Sequence, residues 1–164
     1  MTTVRGVGDG DVGDCLGIVR ALPEYFSEGV AEKVREDLGR HLAWVAVRGE
    51  RVVGFVVVER KGPLAAEVLW VAVDAADRGQ GIGRRLVNEV LREVRADGVR
   101  VVEVKTLDAS ASYEPYRATR AFWERMGFVQ IDTIDPLPGW DPGNPAAIYV
   151  AALEPTTGRR PSEL

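Results

Sequence analysis

The stretch LWVAVDAADRGQGIGRRL, Leu69 to Leu86, carries an apolar strand into a loop holding Gly79, Gly81 and Gly83, and then into a helix. Glycines at such a junction let the backbone come close to an anion. The unpaired N–H groups of the helix's first turn point at that anion, with the helix dipole behind them. Arg78, Arg84 and Arg85 add fixed positive charge on either side. The pattern is a phosphate cradle suited to a pyrophosphate, and spacing narrows which one. No Gly-Lys-Ser/Thr follows the glycines, so the ATP-binding loop of that kind is excluded. A dinucleotide fingerprint needs another glycine three residues after its second; Arg84 or Leu86 stands there, depending on where the count starts.

Working outward, Ala65 to Val73 is the strand that enters the loop. The helix that leaves it runs from about Gly81 to Ala96, with Ile82, Leu86, Val90 and Val94 in one row and Gly98 as its stop. Leu42 to Val47, the turn Arg48-Gly49-Glu50-Arg51 and Val52 to Glu59 read as a hairpin. Before it come a short strand, Val4 to Val7, and a helix capped by Asp11 with Val12, Leu16, Val19 and Leu22 on one stripe. Pro23 ends that helix, and Ser27 caps a second, whose Val30, Val34 and Leu38 repeat every four residues before a Leu38-Gly39 stop. Downstream, Arg100 to Thr106 is a strand. Ser112 or Glu114 opens a helix with Pro115 in its first turn, and Met126-Gly127 closes it. Phe128 to Ile134 and Ile148 to Leu153 are late strands around the loop Pro136 to Pro145. This order predicts an α/β fold: a mixed sheet in one domain over residues 1–154, with a polar tail at 155–164.

Composition agrees. A chain of 164 residues, 46% hydrophobic and 28% charged, is long and apolar enough for one core. A net charge of −4 leaves no sequence-wide basic surface for a nucleic-acid backbone. The most apolar run, Val52 to Val58, is interrupted by Gly54 and falls far short of a bilayer, and the N-terminal residues lack the apolar stretch of a signal peptide. With one cysteine, Cys15, a reducing cytoplasm is the expected location. Cys15 and His41 cannot make a zinc site, so no metal is expected. Cys15 lies beside the first helix's apolar stripe and reads as a small core residue.

The loop fits Arg-x-x-Gly-x-Gly, as Arg78-Gly79-Gln80-Gly81-Ile82-Gly83, and the later helix ends in Ala121-Phe122-Trp123-Glu124-Arg125-Met126-Gly127-Phe128. On these two signatures and the order of elements the chain resembles the GNAT family of N-acetyltransferases, over nearly its whole length. The resemblance implies a single-domain acyl-CoA N-acyltransferase fold, a twisted mixed sheet flanked by about four helices, with acetyl-CoA as cosubstrate and no metal. It implies that backbone groups of Val71, Ala72 and Val73 pair with the pantetheine arm, and that residues Arg78, Gly79, Gln80, Gly81, Ile82, Gly83 and Arg84 hold the pyrophosphate. It also implies that the strand ending near Asp74 splays from the one ending near Thr106 at a bulge, with the thioester in the gap.

Direct transfer needs a base to take a proton from the attacking amine. Glu67 is the candidate: on a strand, residues 67, 69, 71 and 73 share one side, Ala66 to Val73 resembles the strand that bears the base glutamate in some family members, and burial would raise its pKa. The other reading is a glutamate at a solvent-facing strand end. Trp123 stands where many family members carry the tyrosine that protonates the leaving thiolate, and indole N–H only donates hydrogen bonds. Trp123 is therefore placed with the cofactor contacts, and Tyr116, two turns earlier on the helix, is the candidate acid, with Tyr113 or water as alternatives. Tyr25, Phe26 and Trp140 are candidates for an aromatic rim around a cationic acceptor, or simply pack its lid. The acceptor itself is left open among small amines, amino-acid derivatives and lysine side chains. The expected activity is N-acetylation of a primary amine in a ternary complex; a non-catalytic acyl-CoA-binding regulatory module is the alternative. No membrane or nucleic-acid partner is expected, and a homodimer is possible by analogy with the family.

Overall fold

The computed structural model describes residues 1–155, so the expected tail lies outside the described residues except for Pro155. The chain runs β1 (Thr2–Gly6), α1 (Val12–Arg20), α2 (Val30–Arg40), β2 (Leu42–Arg48), β3 (Arg51–Gly62), β4 (Ala65–Val73), α3 (Ile82–Ala96), β5 (Val101–Leu107), α4 (Pro115–Arg125), β6 (Val129–Ile134) and β7 (Ala146–Ala152). All seven strands join one sheet in the order β1-β2-β3-β4-β5-β7-β6. Neighbours are antiparallel except β4 and β5, which the long connection through α3 makes parallel. This is the mixed α/β sheet with four helices expected from the sequence.

Every residue of β3 from Val52 to Val58 is buried, which explains why this strand reads as a continuous apolar run: both faces of the sheet are covered. Phe55 and Val57 face α1 and α2, packing with Leu16, Val19, Val34 and Leu38. Val56 and Val58 face α3 and α4, packing with Leu86, Val90 and Trp123. Cys15 is wholly buried on the first of these faces, and burial, followed by Asp11 and Asp14, pushes its thiol up to about 12. It is the small core residue expected.

The row Ile82, Leu86, Val90 and Val94 is buried as predicted. It seats closely because β3 offers no side chain at Gly54, where a Cβ would lie 3.0 Å from the Ala72 carbonyl oxygen and 3.1 Å from Leu86 Cδ1. Both α3 and α4 end at a left-handed glycine, Gly98 and Gly127. In each case the N–H beyond the glycine turns back to the last turn, Val99 to the Val94 carbonyl at 2.9 Å and Phe128 to that of Trp123 at 3.0 Å.

The first helices differ from expectation. Asp11 does not cap α1 with its side chain; it accepts from the Gly8 N–H at 2.7 Å and from Arg5 at 2.7 Å, tying the turn to β1. Ser27 does not cap α2 either, because Gly29 in the left-handed region turns the chain and the helix begins at Val30. The Leu38-Gly39 stop also fails. Helical backbone continues to Arg40, and extended His41 ends it.

Candidate active site

The strands β4 and β5 are paired only from Ala65–Val68 against Val101–Val104; beyond that they part. The parting coincides with a bulge. Val57 pairs with Trp70 and Val58 with Val68, so Leu69 is an extra residue in β4. From Leu69 to Val73 the β5-facing edge of β4 therefore carries unpaired backbone groups, available to an extended ligand as a further strand would be. The splay and the bulge are where the resemblance implied them.

The same bulge overturns one expectation. Residues 67, 69, 71 and 73 do not share a side, because the extra residue reverses the alternation. Val71 and Val73 pack toward α3, whereas Trp70 and Ala72 pack toward α1 and α2. Glu67 shares that second side.

A cleft of about 730 Å³ passes through the gap. Val71, Ala72, Val73, Arg78, Gly79 and Gly83 line it, as do Glu67, Tyr25, Phe26 and Trp140. Tyr116 and Trp123 form its α4 wall. A smaller hollow of about 370 Å³ shares Val73, Arg78, Gly79 and Gly83 with the cleft and adds Gly81, Ile82 and Arg84. Thus all but one of the candidate residues meet in two adjoining spaces. The exception is Gln80, whose side chain turns outward and accepts from Arg48.

The loop before α3 leaves its backbone donors unpaired. Gly79 and Gly81 both take φ near +75°, a left-handed conformation costly to other residues. Among the described residues no acceptor within the protein takes a backbone N–H from Arg78 to Arg84. A Cβ on Gly83 would stand 3.5 Å from the Phe122 ring, narrowing the hollow there.

Glu67 is only 5% exposed, so it is not a solvent-facing strand end. Nor is it alone. Its Oε1 lies 3.2 Å from Lys105 Nζ and its Oε2 3.5 Å from Lys61 Nζ, charges that offset the desolvation of a lone carboxylate. Burial works against the charge on Lys105, but Glu67 and Glu103 outweigh it and hold the ammonium above the usual lysine value. Neither lysine stood out in the sequence, since only the register of β3, β4 and β5 brings them to Glu67. Asp37, which also lines the cleft, accepts the Trp70 indole N–H at 2.7 Å and was likewise hidden.

The segment between α1 and α2 roofs the cleft. Tyr116 donates its hydroxyl to the Tyr25 carbonyl at 2.7 Å, and Tyr113 donates to that of Glu24 at 2.8 Å. The Arg78 guanidinium sits 4.8 Å from the centre of the Tyr25 ring, linking the anion loop to this roof. Burial pushes the Tyr116 hydroxyl up to about 12, with Tyr113 and Tyr25 adding to the effect. Trp123, 1% exposed, stacks edge-on against Phe122 and Phe128, each with ring centres 5.0 Å away.

Among the described residues no helix is long and apolar enough to cross a membrane. The model of the acetyltransferase (GNAT) domain matches residues 39–130. The chain is 40% identical over 97 residues to the N-alpha-acetyltransferase RimI of Mycobacterium tuberculosis, across 57% of this chain and 59% of that protein. It is 35% identical over 99 residues to a mycothiol acetyltransferase of Brachybacterium faecium, across 52% of this chain and 29% of that one. The chain thus spans less than two thirds of either relative. In three dimensions it overlays the Escherichia coli ribosomal-protein-S18-alanine N-acetyltransferase with a TM-score of 0.77 at 18% identity, covering 98% and 99% of the two chains. An aminoglycoside 6'-N-acetyltransferase complexed with coenzyme A overlays with a TM-score of 0.72 at 22% identity, covering 94% and 98%. These structural likenesses concern the fold. Taken with the open edge of β4, the glycine loop and the domain match, they lead to one conclusion: the chain belongs to the GNAT acetyltransferase family.

Proposed function

We propose that this chain moves an acetyl group from acetyl-CoA to a primary amine by direct attack in a ternary complex. The observation that carries the reading is the continuity of the unpaired β4 edge with the unpaired N–H groups of residues 78–84. An extended arm ending in a pyrophosphate fits that path: Val71, Ala72 and Val73 would pair with the arm, and Arg78 to Arg84 would hold the phosphates. Trp123 would pack beside the arm from the α4 wall.

In this reading the amine enters on the Tyr25, Phe26 and Trp140 side, and Glu67 takes the proton that the nitrogen must lose, directly or through one water. The nitrogen lone pair forms the new bond to the acyl carbon as the carbon–sulfur bond breaks. The Tyr116 hydroxyl is already donated and its pKa is high, so we assign the proton on the departing thiolate to water and give Tyr116 the task of holding Tyr25. The names of the relatives suggest two acceptor classes, peptide α-amines and small amino compounds. The reading also carries a cytoplasmic location, a homodimer, one domain over residues 1–154 and no nucleic-acid partner, which fractionation, sedimentation and filter binding check.

Thermal unfolding with acetyl-CoA, CoA, NADH and ATP supplied separately tests the ligand. At about 100 times Kd a ligand adds roughly 2.7 kcal/mol, several degrees in Tm for a domain of this size. Stabilisation by acetyl-CoA and CoA alone is expected; no shift with either removes the reading. A second reading, an acyl-CoA-binding regulatory module, is favoured by Trp123, which cannot donate a titrating proton. Turnover with any member of a peptide panel or a small-amine panel excludes it, and the panel that turns over names the acceptor class.

A further inference from the structure

Directly before the anion loop lies Asp77, a carboxylate only 2% exposed. Its Oδ1 accepts from Arg48 Nη1 at 2.7 Å and its Oδ2 from Arg51 Nη2 at 2.9 Å. Arg48 and Arg51 flank the two-residue turn of the β2–β3 hairpin and pair with each other at its end. Arg51 reaches Asp74 as well, at 3.3 Å, and Arg48 donates its other terminal nitrogen to the Gln80 side chain. The Asp74 N–H is in turn anchored on the Val53 carbonyl at 2.9 Å. One arginine therefore grips the chain at Asp77 and again at Gln80, on either side of left-handed Gly79.

A loop with three glycines loses much freedom when it closes on a ligand. Fixing it beforehand removes part of that cost from binding. We infer that Asp77, which also lines the smaller hollow, is with Arg48 and Arg51 a positioning device that holds residues 78–84 in their anion-binding shape. The inference rests on the acetyl-CoA reading above.

Plain electrostatics and positioning predict opposite signs here, which makes the test sharp. Asp77→Asn removes a negative charge beside a site for a polyanion, so charge alone predicts tighter CoA binding. Positioning predicts weaker binding, because the amide no longer holds two guanidinium groups. Arg48→Lys keeps its charge, but one ammonium does not span Asp77 and Gln80 as the guanidinium fork does. The experiment measures Kd for CoA by titration calorimetry in wild type and both variants. It adds steady-state kinetics with acetyl-CoA and with S-acetylpantetheine, which has the arm and thioester but no phosphate. The expected result is a Kd for CoA raised about tenfold or more in both variants. KM for acetyl-CoA rises in parallel, while kcat and the KM for S-acetylpantetheine stay unchanged. Asp77→Asn binding CoA as tightly as wild type, or more tightly, overturns the inference. So does an equal loss with S-acetylpantetheine, which would mean general damage to the cleft. Should Asp77→Asn fail to fold, Arg48→Lys decides alone. Wild type failing to bind CoA strikes the acetyl-CoA reading itself, and is thereby distinguished from failure of the clamp.

Discussion

Glu67 holds its carboxylate between two ammonium groups, and its replacement by glutamine keeps the shape while removing the ability to take a proton. Glu67→Gln is expected to lower kcat/KM by about 10²-fold with Kd for CoA unchanged, as measured by steady-state kinetics and calorimetry. An unaltered rate across pH removes Glu67 from the mechanism. Tyr116 makes the contrasting case. Tyr116→Phe leaves the Tyr25 carbonyl without its donor, a loss of about 1 kcal/mol. Because the role assigned to Tyr116 is to hold Tyr25, KM for the acceptor should rise several-fold and kcat stay within about twofold. A fall in kcat of about 10²-fold would instead identify Tyr116 as the proton donor. Glu67, Tyr25, Phe26 and Trp140 could be picked from the sequence because the strand of Glu67 resembles the family's base-bearing strand and the aromatics fall in the two loops where family members differ. Lys61, Lys105 and Asp77 could not. Each looks like an ordinary surface charge until strand register or a neighbouring hairpin supplies its partner.

Among the elements, α3 and its landing place on β3 set the depth of the glycine loop, since the helix begins where the loop ends. Gly54 is the contact that allows the approach. Gly54→Val is expected to destabilise the fold by about 1–3 kcal/mol through overpacking against Ala72 and Leu86, read as a lower midpoint in urea at unchanged slope. The row on α3 and the bounds of β4 were plain in the sequence, because a long amphipathic period and a compact apolar run leave few alternatives. The starts of α1 and α2 were not. Asp11 and Ser27 have the side chains a cap requires, yet Asp11 is drawn to Arg5 and Gly29 turns the chain later. The bulge was legible only through the family resemblance, and its position at Leu69 not at all, because an apolar residue in an apolar strand carries no mark of being the extra one. A period-two count along the strand necessarily placed Glu67 on the wrong side relative to Val71 and Val73.

Across the whole molecule, the far edge of the sheet is tied down by a single buried carboxylate. Asp108, at the end of β5, accepts from the Ser110 hydroxyl at 2.6 Å and the Ser110 N–H at 3.0 Å, and also from Gln130 at 2.8 Å and Thr133 at 3.3 Å in β6. The Ser110 hydroxyl leads the bonds that, against the effect of burial, bring its carboxyl down to about 2. A folded pKa below the unfolded one stabilises the fold above the ordinary carboxylate range and loses that support as pH falls toward 2. The contribution is about 2 kcal/mol. Asp108→Asn should therefore lower Tm at pH 7, with the gap from wild type closing progressively below pH 4, as followed by circular dichroism. The bulge at Leu69 has its own consequence at this scale. It works as a dislocation does in a crystal: one surplus unit in a single row leaves the lattice intact on either side and concentrates the mismatch along one line. Here that line is an open slot through an otherwise continuous seven-stranded sheet, and the slot needs no missing strand and no long insertion. Deleting Leu69 is expected to remove that mismatch and let β4 pair with β5 further along its length, leaving less room for a ligand to lie.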